Sequence, residues 1–241
     1  MKLFFKLFFG VALLATLALS QTIKVGTNAT YPPFEFINEQ NQITGFDIDL
    51  ISEISKIAGF KFEIVNISFD ALIPALKADK IDIIASAMSA TPIRAKAVDF
   101  SKPYYNTMNL FIKRADNKDL TKLEQLEGKK ISVQLGTVQE LAAREIKSAK
   151  VMAIDEIFGA VMAVKNSKAD ALIVDSSIGY GYLKQNPDLA EFLILPDGSD
   201  GFSFAFDKNK NKELQAKVDS AIDELKRNGT YDKLLIKYDL K

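Results

Sequence analysis

Ile81-Asp-Ile-Ile-Ala-Ser-Ala-Met-Ser-Ala-Thr-Pro-Ile-Arg94 decides how this chain is read. Its apolar start, Ile81–Ile84, reads as a strand. Thr91 has the residue type of a helix N-cap, and Pro92 suits a first helical position, where its missing N–H would be unpaired anyway. The pattern predicts a helix running on into Ala95-Lys-Ala-Val98, with Arg94 in its first turn. The helix macrodipole favours anions there. A cation beside free backbone N–H groups is therefore best explained if something anionic docks on both. A planar guanidinium grips a carboxylate through two parallel hydrogen bonds, and the hydroxyls of Ser86, Ser89 and Thr91 are close by in sequence. An ordinary solvated or ion-paired surface arginine accounts for the same residues, and this stretch alone leaves both readings open.

Working outward, Thr22–Gly26 reads as a strand and Asn28–Phe34 as a rigid aromatic loop in which two prolines fix φ. Asn38–Gln42 is a polar hairpin tip. Gly45 opens a helix whose apolar face is Ile48, Leu50, Ile51, Ile54 and Ile57, with Gly59 as its stop. Phe62–Asn66 is the next strand and Asp70–Lys77 a short helix. This β-α-β-α-β order predicts a parallel sheet covered by helices. After an extended aromatic stretch, Asp99–Tyr105, and a strand at Asn109–Lys113, a second series begins. It comprises a helix at Leu120–Glu127 closed by Gly128, a strand at Lys130–Leu135, a helix at Glu140–Lys147 and a strand at Val151–Ile154. A helix at Asp155–Asn166 follows, with Ile157, Phe158, Val161 and Val164 on one face, then a strand at Ala171–Asp175. Helix Ser176–Gln185, strand Phe192–Leu195, the polar linker Pro196–Gly201 and strand Phe202–Phe206 lead to the amphipathic helix Lys212–Arg227. Asn228-Gly229 closes that helix, and Thr230–Lys237 adds a last turn or two.

Two β-α-β series in 241 residues, 48% of them hydrophobic, are enough for two small lobes. The first series lacks a closing element, which the C-terminal segment would supply by returning to it. Lobe 1 is accordingly expected at residues 22–106 plus 203–241 and lobe 2 at 107–202. The chain would cross near Tyr104–Met108 and Gly198–Phe202, short connections that suit a hinge. Lys plus Arg equals Asp plus Glu, 31 each, so no basic footprint argues for nucleic acid. Cysteine and histidine are both absent, which excludes disulfides, thiolate chemistry, zinc fingers and histidine-based triads. No calcium-loop spacing occurs, and no metal or cofactor is expected.

Met1–Ser20 reads as an export signal peptide. Lys2 and Lys6 precede an apolar run, Leu7–Leu19, that is too short to span a bilayer as a helix, and Ala18-Leu-Ser20 places small residues for cleavage before Gln21. The mature chain is expected to be exported and soluble.

Ligands of open α/β sheets bind beyond the carboxyl ends of strands. Four segments end a strand there: Asn28–Tyr31 and Ser86–Arg94 in the first lobe, Gln134–Gln139 and Asp175–Ser177 in the second. Asp175 would put a carboxylate at the mouth of the second lobe, although capping the helix that starts at Ser176 is an equal use for it. Tyr31 and Phe69 would serve either as core or as cleft wall. Arg94 and Asp175 facing one another suggest a ligand with an anionic and a cationic end. A free amino acid is the smallest common molecule of that kind, and no phosphate loop, triad or metal cluster competes.

At this point the chain resembles the periplasmic solute-binding proteins for polar amino acids that feed ABC importers (solute-binding protein family 3). The resemblance is carried by Gly26-Thr-Asn-Ala-Thr-Tyr-Pro-Pro-Phe-Glu35, Gly45-Phe-Asp-Ile-Asp-Leu50, Phe69-Asp-Ala-Leu-Ile-Pro-Ala-Leu76 and Thr91-Pro-Ile-Arg94. Asp99-Phe-Ser-Lys-Pro-Tyr-Tyr105, Leu135-Gly-Thr137, Ala169-Asp-Ala171 with Asp175, and Asn228-Gly-Thr-Tyr231 continue it across essentially the whole mature chain. It implies a type II, two-lobe periplasmic binding protein fold, with open sheets flanked by helices and a two-strand hinge.

The resemblance further implies that Arg94 holds the ligand α-carboxylate, helped by Ser89 and by backbone N–H groups of Ser89 and Thr137. Asp175 would hold the α-ammonium, with the carbonyl of Ala87 or the hydroxyl of Ser89 as second acceptor. Tyr31 and Phe69 would sandwich the side chain, with Ser86 beside them, and Asn28, Gln134 and Gln139 occupy positions that tune side-chain choice. Several members that take basic amino acids or glutamine have an aspartate where this chain has Asn28, a poorer partner for a cation. Arginine, lysine, glutamine and histidine all stay open as ligands, since aromatic faces hold cations as well. The implied partner is an inner-membrane ABC permease, and the protein is expected to act in the periplasm as a monomer. Two rivals are weighed. A dehydratase on the same scaffold would need a general acid or base free in the cleft, and a sensor module would need a transmembrane continuation, which is not expected here.

Overall fold

Residues 22–241 are described by the computed structural model; the signal peptide expected at Met1–Ser20 and its cleavage before Gln21 lie outside the described residues. The first part of the chain runs β1 (Ile23–Thr27), the short strands β2 (Thr30–Tyr31), β3 (Glu35–Ile37) and β4 (Ile43–Thr44), helix α1 (Phe46–Ala58) and β5 (Phe62–Asn66), followed by α2 (Leu72–Lys77), β6 (Ile83–Ile84) and β7 (Val98–Phe100). Next come β8 (Met108–Arg114), β9 (Lys130–Gln134), α3 (Val138–Glu145), β10 (Lys150–Ile154), α4 (Ile157–Lys165), β11 (Ala171–Asp175), α5 (Ser176–Gln185) and β12 (Leu189–Pro196). β13 (Ala205–Asp207), α6 (Lys212–Arg227) and α7 (Thr230–Lys237) complete it.

These strands form two five-stranded sheets, in the orders β5-β1-β6-β13-β7 and β10-β9-β11-β8-β12, and a small hairpin sheet, β2-β3-β4. β1 is parallel to β5 and β6, and β9 is parallel to β10 and β11, because an intervening helix returns the chain to the same end of the sheet each time. β13 enters the first sheet antiparallel to β6 and β7, so the C-terminal segment does return to the first series. The helices that follow bury Val218, Ala221, Ile222, Leu225 and Leu234 in the same core as Leu50, Ile51 and Ile54 of α1. Gly59 closes α1 in the left-handed conformation, as its position suggested.

Between the two sheets the chain passes twice, and the passes lie side by side. Tyr104 N–H donates to the Phe202 carbonyl at 2.8 Å, and Phe202 N–H donates to the Tyr105 carbonyl at 2.7 Å. The second pass also pairs with the stretch quoted first: Ser203 N–H donates to the Met88 carbonyl at 3.0 Å and Ala90 N–H to the Gly201 carbonyl at 2.8 Å. The Phe34 ring meets the rings of Tyr105 and Phe202 edge-on, each at 5.2 Å. Such contacts add about 0.5–1.5 kcal/mol apiece beyond area burial.

Four local expectations change. Ile57, expected on the apolar face of α1, is 39% exposed in the helix's last turn, beyond the reach of the core that covers Ile51 and Ile54. The helix expected after Thr91 is a single 3-10 turn, Arg94–Lys96, because the chain is then drawn into β7 and its pairing with β13. The Leu120–Glu127 helix shrinks to a 3-10 turn at Leu123–Leu126. Phe158 is 59% exposed rather than on the buried face of α4, since a residue next to Ile157 is rotated about 100° from the Ile157, Val161, Val164 stripe.

Gly45 is where the hairpin meets α1. Its φ is +133°, and a Cβ there would sit 2.1 Å from the Phe34 carbonyl oxygen. Gly45→Ala should therefore lower the unfolding free energy, measured in urea, by about 2 kcal/mol or more, from backbone strain together with the clash. An unchanged midpoint would mean that the hairpin can move aside.

Candidate functional site

The carboxyl ends of β1 and β6 in one sheet, and of β9 and β11 in the other, converge on one narrow cleft. Every residue expected to touch ligand lines it: Asn28, Tyr31, Phe69, Ser86, Ala87, Ser89 and Arg94 on one wall, and Gln134, Thr137, Gln139 and Asp175 on the other. Glu35 and Val138 line it as well, and neither was singled out from the sequence.

On the first wall, the Thr91 hydroxyl accepts the Arg94 N–H at 3.3 Å, so the expected cap forms although no α-helix follows. The guanidinium donates to the Ser89 carbonyl at 2.8 Å and to the Gly136 carbonyl on the facing wall at 3.0 Å, and it lies over the Phe69 ring, 5.4 Å from its centre. No salt-bridge partner reaches it among the described residues, so the surface ion pair is not its use. Burial lowers its pKa to about 10, against the pull of Asp175 and Asp197. Ala87 is held at φ +40°, a conformation L residues seldom adopt, and its N–H donates to the Asp47 carboxylate at 2.7 Å. The Ser86 hydroxyl donates to Glu35 Oε1 at 2.9 Å and accepts the Asn28 N–H at 3.0 Å. The Ser89 hydroxyl donates to Asp197 at 3.3 Å.

On the second wall, Thr137 caps α3 by accepting the Glu140 N–H at 3.2 Å. Asp175 ends β11 at the N-cap position of α5 but makes no capping bond. Its carboxylate turns into the cleft, where it accepts from the Tyr31 hydroxyl across the gap and from Gln139 Nε2 at 3.0 Å. Gln139 also donates to Asn109 at 3.0 Å. Gln134 Nε2 donates to Asn28 Oδ1 at 3.1 Å, a second side-chain link between the walls. Gly136 comes so near α2's approach that a Cβ there would lie 2.9 Å from the Asp70 Cβ. Asp175 is only 4% exposed, and burial pushes its pKa to about 7; the Tyr31 hydroxyl opposes this, Asp197 adds to it, and Arg94 and Gln139 oppose it.

Two more carboxyl groups belong to this side, Glu35 in the wall itself and Asp47 behind it. Asp47, fully buried, has a pKa raised to about 7 by burial, and Tyr104 donates to it. Glu35, 1% exposed, is raised well above the usual carboxylate range by burial first and by the nearby Asp47 next. The signal for Glu35 was its place in Tyr-Pro-Pro-Phe-Glu: the tight turn that follows Tyr31 brings it directly opposite that residue in the β2–β3 pair.

Two open α/β sheets joined by two adjacent crossings, with a buried arginine and a buried aspartate on opposite walls of the gap, define a two-lobe ligand-binding fold. Residues 23–241 match the family described as bacterial extracellular solute-binding proteins, family 3, and the chain belongs to that family. A probable histidine-binding protein of Campylobacter jejuni is 50% identical over 220 residues, covering 91% of this chain and 86% of the relative. The arginine-binding extracellular protein ArtP of Bacillus subtilis is 35% identical over 217 residues, covering 89% of this chain and 84% of ArtP. Among solved structures, an ancestral arginine-binding protein bound to arginine superposes with a TM-score of 0.85 at 37% identity, covering 90% of this chain and 97% of that one.

Proposed function

We propose that this protein captures a free polar amino acid outside the cytoplasm and delivers it to an ABC transporter of the inner membrane. The observation that carries this reading is the placement of Arg94 and Asp175 on opposite walls of a single buried cleft. Arg94, with Ser89 and Thr137, takes the α-carboxylate; Asp175, with Gln139 behind it, takes the α-ammonium; Tyr31 and Phe69 flank the side chain. Residues 22–106 and 203–241 form one lobe, 107–202 the other, and the paired crossings at Tyr104–Tyr105 and Phe202 bend as the hinge. Closing expels water and strengthens each charge interaction. Both walls come from one chain, so a monomer suffices. The names of the relatives, which specify histidine or arginine, support an amino acid as ligand. The protein is read as a binding protein and not an enzyme, a reading supported by relatives that are named as binding proteins. Export through a cleaved signal peptide at Met1–Ser20 puts the mature protein in the periplasm.

A thermal-shift screen of the common amino acids tests this reading. A ligand at about 100 times its Kd stabilises the folded form by about 2.7 kcal/mol, which for a chain of this size raises Tm by about 5–10 °C. A flat screen, with no amino acid moving Tm, would end it.

A further inference from the structure

Resting on the reading of the cleft as an amino-acid site, we infer that Asp47 is a positioning residue for the ligand: its carboxylate fixes the Ala87 peptide in the conformation that presents it to the cleft and ties that peptide to the hinge. Ala87 lines the cleft at φ +40°, in the left-handed region where an L residue is strained. Such a conformation persists only where the surroundings impose it. The bond from its N–H to Asp47 Oδ2 at 2.7 Å is the one hydrogen bond Ala87 makes among the described residues, and its carbonyl accepts none there. The residues on either side are held by other means: the Ser86 hydroxyl donates to Glu35, and the Met88 carbonyl accepts from Ser203.

Asp47 itself does not line the cleft. It is fully buried in the first turn of α1, and the same oxygen, Oδ2, accepts from the Tyr104 hydroxyl. Tyr104 belongs to the first crossing, where its N–H donates to the Phe202 carbonyl at 2.8 Å. One carboxylate oxygen therefore joins a ligand-facing peptide to the segment that bends. Replacing Asp47 by alanine would leave the Ala87 N–H and the Tyr104 hydroxyl as buried donors without acceptors, and would free Ala87 to leave its strained conformation. An asparagine can set its own oxygen on both donors, with its amide nitrogen in the place of Oδ1, which has no partner among the described residues. The position needs an acceptor at that point rather than a charge.

Calorimetry with L-histidine, L-arginine, L-lysine and L-glutamine first picks the tightest binder of the mature protein, and that amino acid is then titrated into the variants. Asp47→Ala should weaken it at least about tenfold, and Asp47→Asn should recover most of that loss. The effect should also depend on the backbone at position 87. In an Ala87→Gly background, where the left-handed conformation carries no steric strain, Asp47→Ala should cost about threefold at most. A merely structural role for Asp47 would lower Tm without this dependence. Asp47→Ala binding as tightly as the unaltered protein, equal losses in Asp47→Ala and Asp47→Asn, or the same loss in both backgrounds would overturn the inference. Should Asp47→Ala not fold, exchange of the Ala87 amide hydrogen in the unaltered protein decides: it should be about a hundredfold or more slower than in an unstructured peptide, and exchange at the unstructured rate overturns the assignment. Binding of none of the four amino acids by the unaltered protein would instead remove the reading of the cleft itself.

Discussion

Arg94→Ala should abolish amino-acid binding measured by calorimetry. Among the described residues that line the cleft, Arg94 is the only cation that can pair with a ligand carboxylate buried in the gap. Truncating one partner of a buried, hydrogen-bonded ion pair costs about 3–5 kcal/mol, because the remaining charge is stranded away from water. That corresponds to roughly a hundredfold to several thousandfold in affinity. Arg94 also donates to the Gly136 carbonyl on the opposite wall, so its loss weakens closure as well as the direct grip. Arg94→Lys keeps the charge but not the planar fork, and should recover only part of the affinity. An Arg94→Ala protein that folds normally and binds as tightly as the unaltered one would remove Arg94 from the site.

Asp175→Asn should weaken binding by about 2–5 kcal/mol and flatten its dependence on pH. Burial raises this carboxyl to about 7. An ammonium favours the ionised form, so binding expels a proton. Affinity should therefore rise with pH through about 7, and fall by about tenfold or more between pH 7.5 and 5.5. For the ligand-free fold the sign is the reverse. A carboxyl raised in the folded state holds its proton more tightly than in the unfolded chain, so this group's contribution to stability declines as pH climbs from about 4 to 7. Glu35 and Asp47 are raised in the same direction, so the variant retains a residual slope. Titrations at several pH values check this, and a slope identical in both proteins would exclude Asp175 as the ammonium partner.

Much of this was legible because it depends on local pattern. The face of α1 that carries Ile48, Leu50, Ile51 and Ile54, its stop at Gly59 and the strand ending in Asp175 each follow from a few neighbouring residues. The return of the C-terminal segment was legible from the incompleteness of the first β-α-β series. What stayed hidden depends on partners far along the chain. Glu35 lies in a three-residue strand, and nothing in Glu-Phe-Ile says that its carboxyl will be buried beside Asp47. Arg94 follows a good cap, yet strand pairing with residues more than a hundred positions later stops the helix after one turn. Asp175 looked equally like a cap or a ligand contact; the Tyr31 hydroxyl from the other wall and the Gln139 amide together hold it in the gap.

The crossing at Gly201–Ser203 has a consequence for how such a molecule can be adjusted. Its backbone bonds on one side to Tyr104 and Tyr105 and on the other to Met88 and Ala90, the residues flanking Ser89. The flexing segment and the grip are thus adjoining threads of one fabric. Observed affinity is the intrinsic strength of the contacts scaled by the fraction of molecules in the competent shape. A change at Phe202 or Ser203, which do not line the cleft, can therefore retune that affinity by shifting the fraction.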